Sequence, residues 1–151
     1  MYTITKRMND LVRCMNRYRA EQLAPLELKS CHAGYLLEIC ACPGISQEQL
    51  SRRIYANKSN VARQLATLEE SGYVERKPGE EDRRVMEVYP TEKALAALPK
   101  IQGIMDHWER EVAGSLSDQE RQRLTALLED MTRRAEGLLE DISAPMWAIL
   151  C

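Results

Sequence analysis

Between Gln49 and Leu68 the chain carries Arg52, Arg53, Lys58 and Arg63 and no acidic residue. From Thr91 to the end, by contrast, seven cations stand against eleven acids, and the whole chain has a net charge of −2. A basic block inside a neutral-to-acidic chain concentrates positive potential on one face, the chemistry needed to meet a polyanion. A second group of cations, Lys77, Arg83 and Arg84, brackets Asp82 in a polar stretch. The other reactive side chains point to less. Cys14, Cys31, Cys40, Cys42 and Cys151 form no Cys-x-x-Cys pair and no zinc-like spacing. Cys31 and Cys40 are nine residues apart, which on a helix sets them on roughly opposite faces. His32 and His107 are far apart, and neither a Cys–His nor a Ser-His-Asp set can be assembled. The expectation is therefore no metal, no cofactor and no enzyme.

Elements must position the basic block, and the composition says which kind. At 151 residues the chain fits one domain of ordinary size, and 44% hydrophobic residues suffice for a packed core. Seven Gly, six Pro and no Phe favour helix over a turn-rich all-β fold. Met1 to Asp10 lacks the apolar core of a signal peptide, and the longest apolar run, Ala144–Leu150, is too short to span a bilayer. A cytoplasmic protein with reduced thiols and no membrane partner is expected.

Apolar residues at Met8, Leu11, Val12, Met15 and Tyr18 predict an amphipathic helix from Ile4 to Leu23, closed by Pro25. A second helix, from about Leu28 to Ala41, is apolar around most of its circumference and reads as buried. Ser46 and Gln49 have capping-box spacing and start a short helix, Ser46 to Ile54. After a turn at Tyr55-Ala56, Asn57 is an N-cap candidate, and Val61, Leu65 and Leu68 form one stripe up to a terminal Gly72. Two short helices joined by a tight turn are a helix-turn-helix. Tyr73–Lys77 and Val85–Tyr89 flank a charged turn opened by Pro78-Gly79, a β-hairpin. Thr91 caps a long helix carrying Leu95, Leu98, Ile101, Met105, Trp108 and Val112, with Pro99 expected to kink it. Ser117 to Glu120 is another capping box, before a helix with Leu124, Leu127, Met131, Ala135, Leu138 and Ile142. A lone winged domain has too little chain to cover both long stripes, so they predict a helical interface between two subunits. The apolar tail from Ser143 to Cys151, with Trp147, packs on that dimer or frays.

The fold class is thus mainly α with a small β-hairpin wing, a winged helix-turn-helix in a helical dimerisation scaffold. This order resembles the multiple-antibiotic-resistance regulator (MarR) family of bacterial transcription factors, over about Met8 to Leu139. Asn57-Lys58-Ser59-Asn60-Val61-Ala62-Arg63 resembles the start of the family's recognition helix. Leu68 to Val74 resembles its end and the first wing strand. Asp82-Arg83-Arg84, with Pro90-Thr91 downstream, is similar to the wing signature of Asp, any residue, Arg, then Leu-Thr. Pro90 replaces the usual Leu, and Ala94 stands where Gly is common.

The resemblance implies one MarR-like domain over residues 1–151, with a DNA-binding lobe at 28–90 and a helical dimerisation region at 1–27 and 91–151. It implies a homodimer, most simply a repressor, on double-stranded DNA with half-sites about one helical turn apart. Lys58, Ser59, Asn60 and Arg63 would meet base edges from the helix that Asn57 caps. Ser46, Gln47 and Arg52 or Arg53 would touch phosphates. Arg83 or Arg84 would enter the minor groove beside Lys77, with Asp82 bracing an arginine as in the family. Two forms of control follow from the same resemblance. A small aromatic or phenolic effector would draw on Tyr18, Cys31, His32, Tyr35, Met105 and Trp108, with His32 pairing to a carboxylate or phenol. Alternatively Cys14, one turn before Tyr18, would respond to oxidation. The competing reading is a winged-helix module that binds protein and has no specific DNA.

Overall fold

The computed structural model describes residues 3–143, with side chains through residue 140. Residues 144–151 of the expected tail, with Trp147 and Cys151, lie outside the described residues. Six α-helices and three short strands follow in the order α1 (Ile4–Leu23), α2 (His32–Ala41), β1 (Ile45–Ser46), α3 (Gln47–Arg53), α4 (Lys58–Glu70), β2 (Val74–Pro78), β3 (Met86–Pro90), α5 (Glu92–Ala113) and α6 (Asp118–Ser143). Two compact units meet within α5, one up to Trp108 and one from Glu109 onward.

The first unit holds the core. Leu23, Leu36, Ile39, Leu50, Val61, Leu65, Leu68, Val88 and Ile101 are all fully buried, each contributing about 1.5–3 kcal/mol by burial. The strands form an antiparallel sheet in the order β1-β3-β2, with Val88 opposite Ile45 on one side and Arg76 on the other. The hairpin is as expected, shifted one residue toward its prolines, but β1 makes the sheet three-stranded. Two residues are too few to carry an alternating pattern, so β1 is not visible in the sequence.

Two further expectations need correction. Helix α2 begins at His32, four residues later than read from the sequence. A single 3₁₀ turn at Ala24–Leu26 ends on Glu27 in the left-handed region (φ 58°), which sends Leu28 back into the core before α2 can start. In α5, the core-facing side is Ala94, Ala97, Ile101 and Ile104, while Leu95 and Val112 stand 48% and 45% exposed. The lobe packs on the side where alanines let another element approach closely, so only part of the expected stripe faces outward.

The second unit is the end of α5 and the whole of α6. Ser117 Oγ accepts the Glu120 N–H at 3.3 Å and the Glu120 carboxylate accepts the Ser117 N–H at 2.8 Å, the expected capping box. Arg121 ties the connection to α5, donating to Glu109 at 2.8 Å and to the Ala113 carbonyl at 3.0 Å. No described helix is long and apolar enough to cross a membrane.

Candidate nucleic-acid interface

The helix-turn-helix is built by local hydrogen bonding. Ser46 Oγ accepts the Gln49 N–H and Gln49 Oε1 accepts the Ser46 N–H, both at 3.1 Å, which starts α3. The turn closes where Ser51 Oγ donates to the Ala56 carbonyl and Tyr55 takes the left-handed conformation (φ 54°). Asn57 Oδ1 then accepts the Asn60 N–H at 2.8 Å and the Ser59 hydroxyl at 2.9 Å, starting α4. Val61, Leu65 and Leu68 drop into the core; Ser59 and Arg63 occupy the opposite, open side, Asn60 lies half-buried on its flank, and Lys58 is exposed in the first turn. Gly72, at φ 78°, takes the left-handed position that ends the helix.

The far end of α4 is locked to the wing. Glu69 accepts from Arg76 three times, at 2.7 and 3.0 Å from the guanidinium and 3.1 Å from the backbone N–H. The Arg76 side chain beside it holds the Glu69 carboxyl below the usual range. Lys93 Nζ donates to the Ser71 carbonyl at 2.7 Å and lies 4.5 Å from the Tyr73 ring centre, fixing the exit from α4.

The cations are deployed unevenly. Glu48, one residue before the acid-free run, takes Arg52 at 3.2 Å and Lys58 at 3.5 Å. Arg53 is directed to Glu38 at 3.1 Å, and Lys77 to Glu75 at 3.1 Å. Exposed pairs of this kind are worth about 1 kcal/mol or less, so a phosphate can displace the carboxylate. Among the described residues, Arg63, Arg83 and Arg84 face no acid partner. Gln47, Glu48, Lys58, Arg84, Val85 and Met86 line one cleft of about 240 Å³, so α3, α4 and the wing share a face. Asp82 departs from the expected brace: it accepts the backbone N–H of Arg84 at 2.9 Å, an Asx turn that shapes the tip and leaves the guanidinium outside.

The six residues expected for an effector fall into two groups. Tyr18 packs on Trp108 with ring centres 5.4 Å apart and on His107 at 6.2 Å, while Met105 lies half-buried against the core. Cys31, His32 and Tyr35 form the other group, at the start of α2. His32, 1% exposed, is hydrogen-bonded to neither a carboxylate nor a phenol among the described residues. Its Nε2 lies 3.1 Å from Gln64 Oε1 and its Nδ1 accepts the Lys29 N–H at 3.1 Å. Burial, with the Lys29 charge adding, pushes its pKa down against the Gln64 hydrogen bond. Burial pushes the Cys31 thiol and the Tyr35 phenol up. The Tyr35 hydroxyl is buried with no hydrogen-bond partner among the described residues. Cys14 is exposed and makes no hydrogen bond or ion pair among the described residues. No group of three His, Cys, Asp or Glu residues is set up to hold a metal among them either.

Glu48, Gln64 and the Glu69–Arg76 pair were not singled out from the sequence. Only Glu48 leaves a trace there, at four residues from Arg52; Gln64 meets His32 across 32 residues, and Glu69 reaches Arg76, seven residues on, only across the chain reversal at Gly72.

Residues 35–86 match the MarR family profile. A MarR transcriptional regulator from Methanosarcina mazei is 30% identical, aligned over 89% of this chain and 97% of its own, with a TM-score of 0.82. The uncharacterised HTH-type transcriptional regulator YybA of Bacillus subtilis is 25% identical over 85% of both chains. A MarR-family regulator from Listeria monocytogenes, solved with a 26mer DNA, shares the fold at 21% identity, 95% and 97% coverage and a TM-score of 0.88. Likeness of this extent, over the helix-turn-helix and the helices flanking it, means that the chain belongs to the MarR family of non-enzymatic transcriptional regulators.

Proposed function

We propose that this regulator acts as a homodimer on double-stranded operator DNA and represses transcription, with residues 28–90 reading DNA and residues 1–27 and 91–151 forming the dimer. The observation that carries the reading is the open face of α4. There Ser59 and Arg63 stand opposite a stripe buried to 0% exposure, Asn60 lies half-buried on the flank, and Lys58, exposed in the first turn, shares a cleft with Arg84. A helix presented this way fits the major groove with its N-terminal residues at base edges. Ser46, Gln47 and Arg52 or Arg53 reach phosphates from α3, each arginine leaving an exposed carboxylate to do so. Arg83, Arg84 and Lys77 serve the adjacent minor groove. The DNA bound to the Listeria regulator, on the same fold, supports this use.

Dimerisation has its own support. Ile4, Leu11 and Val12 on α1 and Leu124, Leu127 and Leu138 on α6 are 45–67% exposed. So many large apolar groups on two helices call for a cover. A small aromatic or phenolic effector is the favoured control, since the buried Tyr35 hydroxyl has no hydrogen-bond partner among the described residues and is the group such a ligand would satisfy. Oxidation of Cys14 is the alternative control, supported by the exposure of that thiol.

Selection of binding sites from randomised duplexes tests the reading. A conserved pseudo-palindrome with half-site centres one helical turn apart is expected. Arg63→Ala should then cost about 1–3 kcal/mol at one base position. An equal loss on every sequence would make Arg63 a phosphate contact, and recovery of no motif would remove the proposal.

A further inference from the structure

Gln64 lies half-buried on α4, between the open face and the core. Its setting begins with a tautomer. Nδ1 of buried His32 accepts the Lys29 N–H at 3.1 Å, so a neutral ring carries its proton on Nε2. That N–H points at Gln64 Oε1, 3.1 Å away. Burial keeps the ring neutral, the form this arrangement needs. The Gln64 amide is thereby fixed one way round, oxygen toward α2 and nitrogen toward Asn60, whose Oδ1 is 3.5 Å from Gln64 Nε2. The same Asn60 oxygen accepts from Arg63 Nη2 at 2.9 Å. An amide oxygen has two lone pairs, and here both are directed at donors from its own helix. What Asn60 has left for a DNA base is its NH₂ group.

The His32 bond is the fixed end of this chain, because an unmet imidazole N–H in the core is costly. The Gln64–Asn60 contact, longer and nearer solvent, is the adjustable end. Cys31 Sγ, 3.8 Å from Gln64 Oε1, joins at the fixed end.

We infer that Gln64 is a positioning residue for base reading, one that transmits the fixed orientation of buried His32 to Asn60 and sets Asn60 as a donor toward the groove with Arg63 braced at its side. The inference rests on the DNA-reading role of α4. A carboxamide with both halves free grips adenine through N6 and N7; one whose oxygen is occupied is a donor only and favours guanine N7 and O6 or thymine O4 over adenine, which offers N7 alone and sets its N6 donor beside it.

The test uses the full-length protein and an operator duplex together with all single-base variants of one half-site. Affinity for each is divided by affinity for a shuffled duplex, so that uniform electrostatic changes cancel. Gln64→Glu keeps an oxygen for His32 and removes the NH₂ facing Asn60, which separates orientation from packing; Gln64→Met removes both. Circular dichroism and urea midpoints report folding. Wild type should prefer guanine or thymine at the position where Asn60→Ala loses discrimination. Gln64→Glu should lose about tenfold of discrimination at that position only, and adding it to Asn60→Ala should lose nothing more. Folded Gln64→Glu with discrimination intact, or with loss spread over all positions, would overturn the inference, as would an adenine preference at the Asn60 position. A wild type with no preferred sequence would instead sink the DNA-reading role itself, and that is seen before any variant is compared.

Discussion

Helices α4 and α6 carry the same three-four apolar spacing and end in opposite surroundings. In α4, Val61, Leu65 and Leu68 are fully buried, packed over α3 and β2. In α6, Leu124, Leu127, Leu128, Met131 and Leu138 are 36–66% exposed. The amphipathic pattern states that one face is apolar; what covers that face is a property of the rest of the chain or of another chain. For α4 the cover is internal, which frees its other face for a ligand. For α6 the apolar face is itself what is on offer, and a second copy is the proposed cover.

The largest effect should come from breaking that cover. Leu127→Asp combined with Met131→Asp should turn a dimer into a monomer by light scattering and weaken operator binding at least about a hundredfold, since two linked half-sites gain about 10²–10⁴ over one. A variant that stays dimeric would place the interface elsewhere. In the monomeric background the two helices should then differ sharply. Leu65→Ala should cost about 2–5 kcal/mol in urea unfolding, whereas Leu124→Ala should change stability by about 0.5 kcal/mol or less. Equal costs would mean that α6 is covered within its own chain.

Two smaller effects sharpen the account of the lobe. Ser46→Ala removes the acceptor that starts α3 and should cost about 1 kcal/mol, with the α6 interface untouched by light scattering. The buried imidazole gives a pH dependence of definite sign. Burial lowers the pKa of His32 in the folded protein, so between that value and about 6.5, where an unfolded histidine titrates, the unfolded chain binds the extra proton. Stability is therefore full above about pH 6.5 and falls as the pH drops below it. Urea midpoints at successive pH values should show this fall in wild type and a shallower one in His32→Asn; parallel curves would remove His32 as the cause.

What could be read in the sequence was local. The Ser46 and Ser117 capping boxes, the Asn57 cap and the Gly72 terminus involve groups within a few residues of one another, and side-chain type and spacing reveal them. What was hidden depends on distant partners. His32 and Gln64, 32 residues apart, are joined only because the start of α2 lies against α4, and Glu69 reaches Arg76, seven residues on, only once the chain reverses between α4 and β2. Asp82 looked like a guanidinium brace by family resemblance, yet its short side chain satisfies the nearer backbone N–H of Arg84. The start of α2 was misplaced for a similar reason: burial of Leu28 outweighed its helical neighbours.

The central claim, that the open face of α4 reads DNA sequence, is tested most directly by fluorescence anisotropy on duplexes tiling the DNA upstream of the protein's own gene, at near-physiological salt, against shuffled controls. One tile bound tightly by wild type, with the preference diminished in Arg63→Ala, is the predicted result. Equal binding to every tile that disappears as salt rises would be counterion release alone; that result, or no binding at all, would contradict the account in favour of a winged helix that recognises protein.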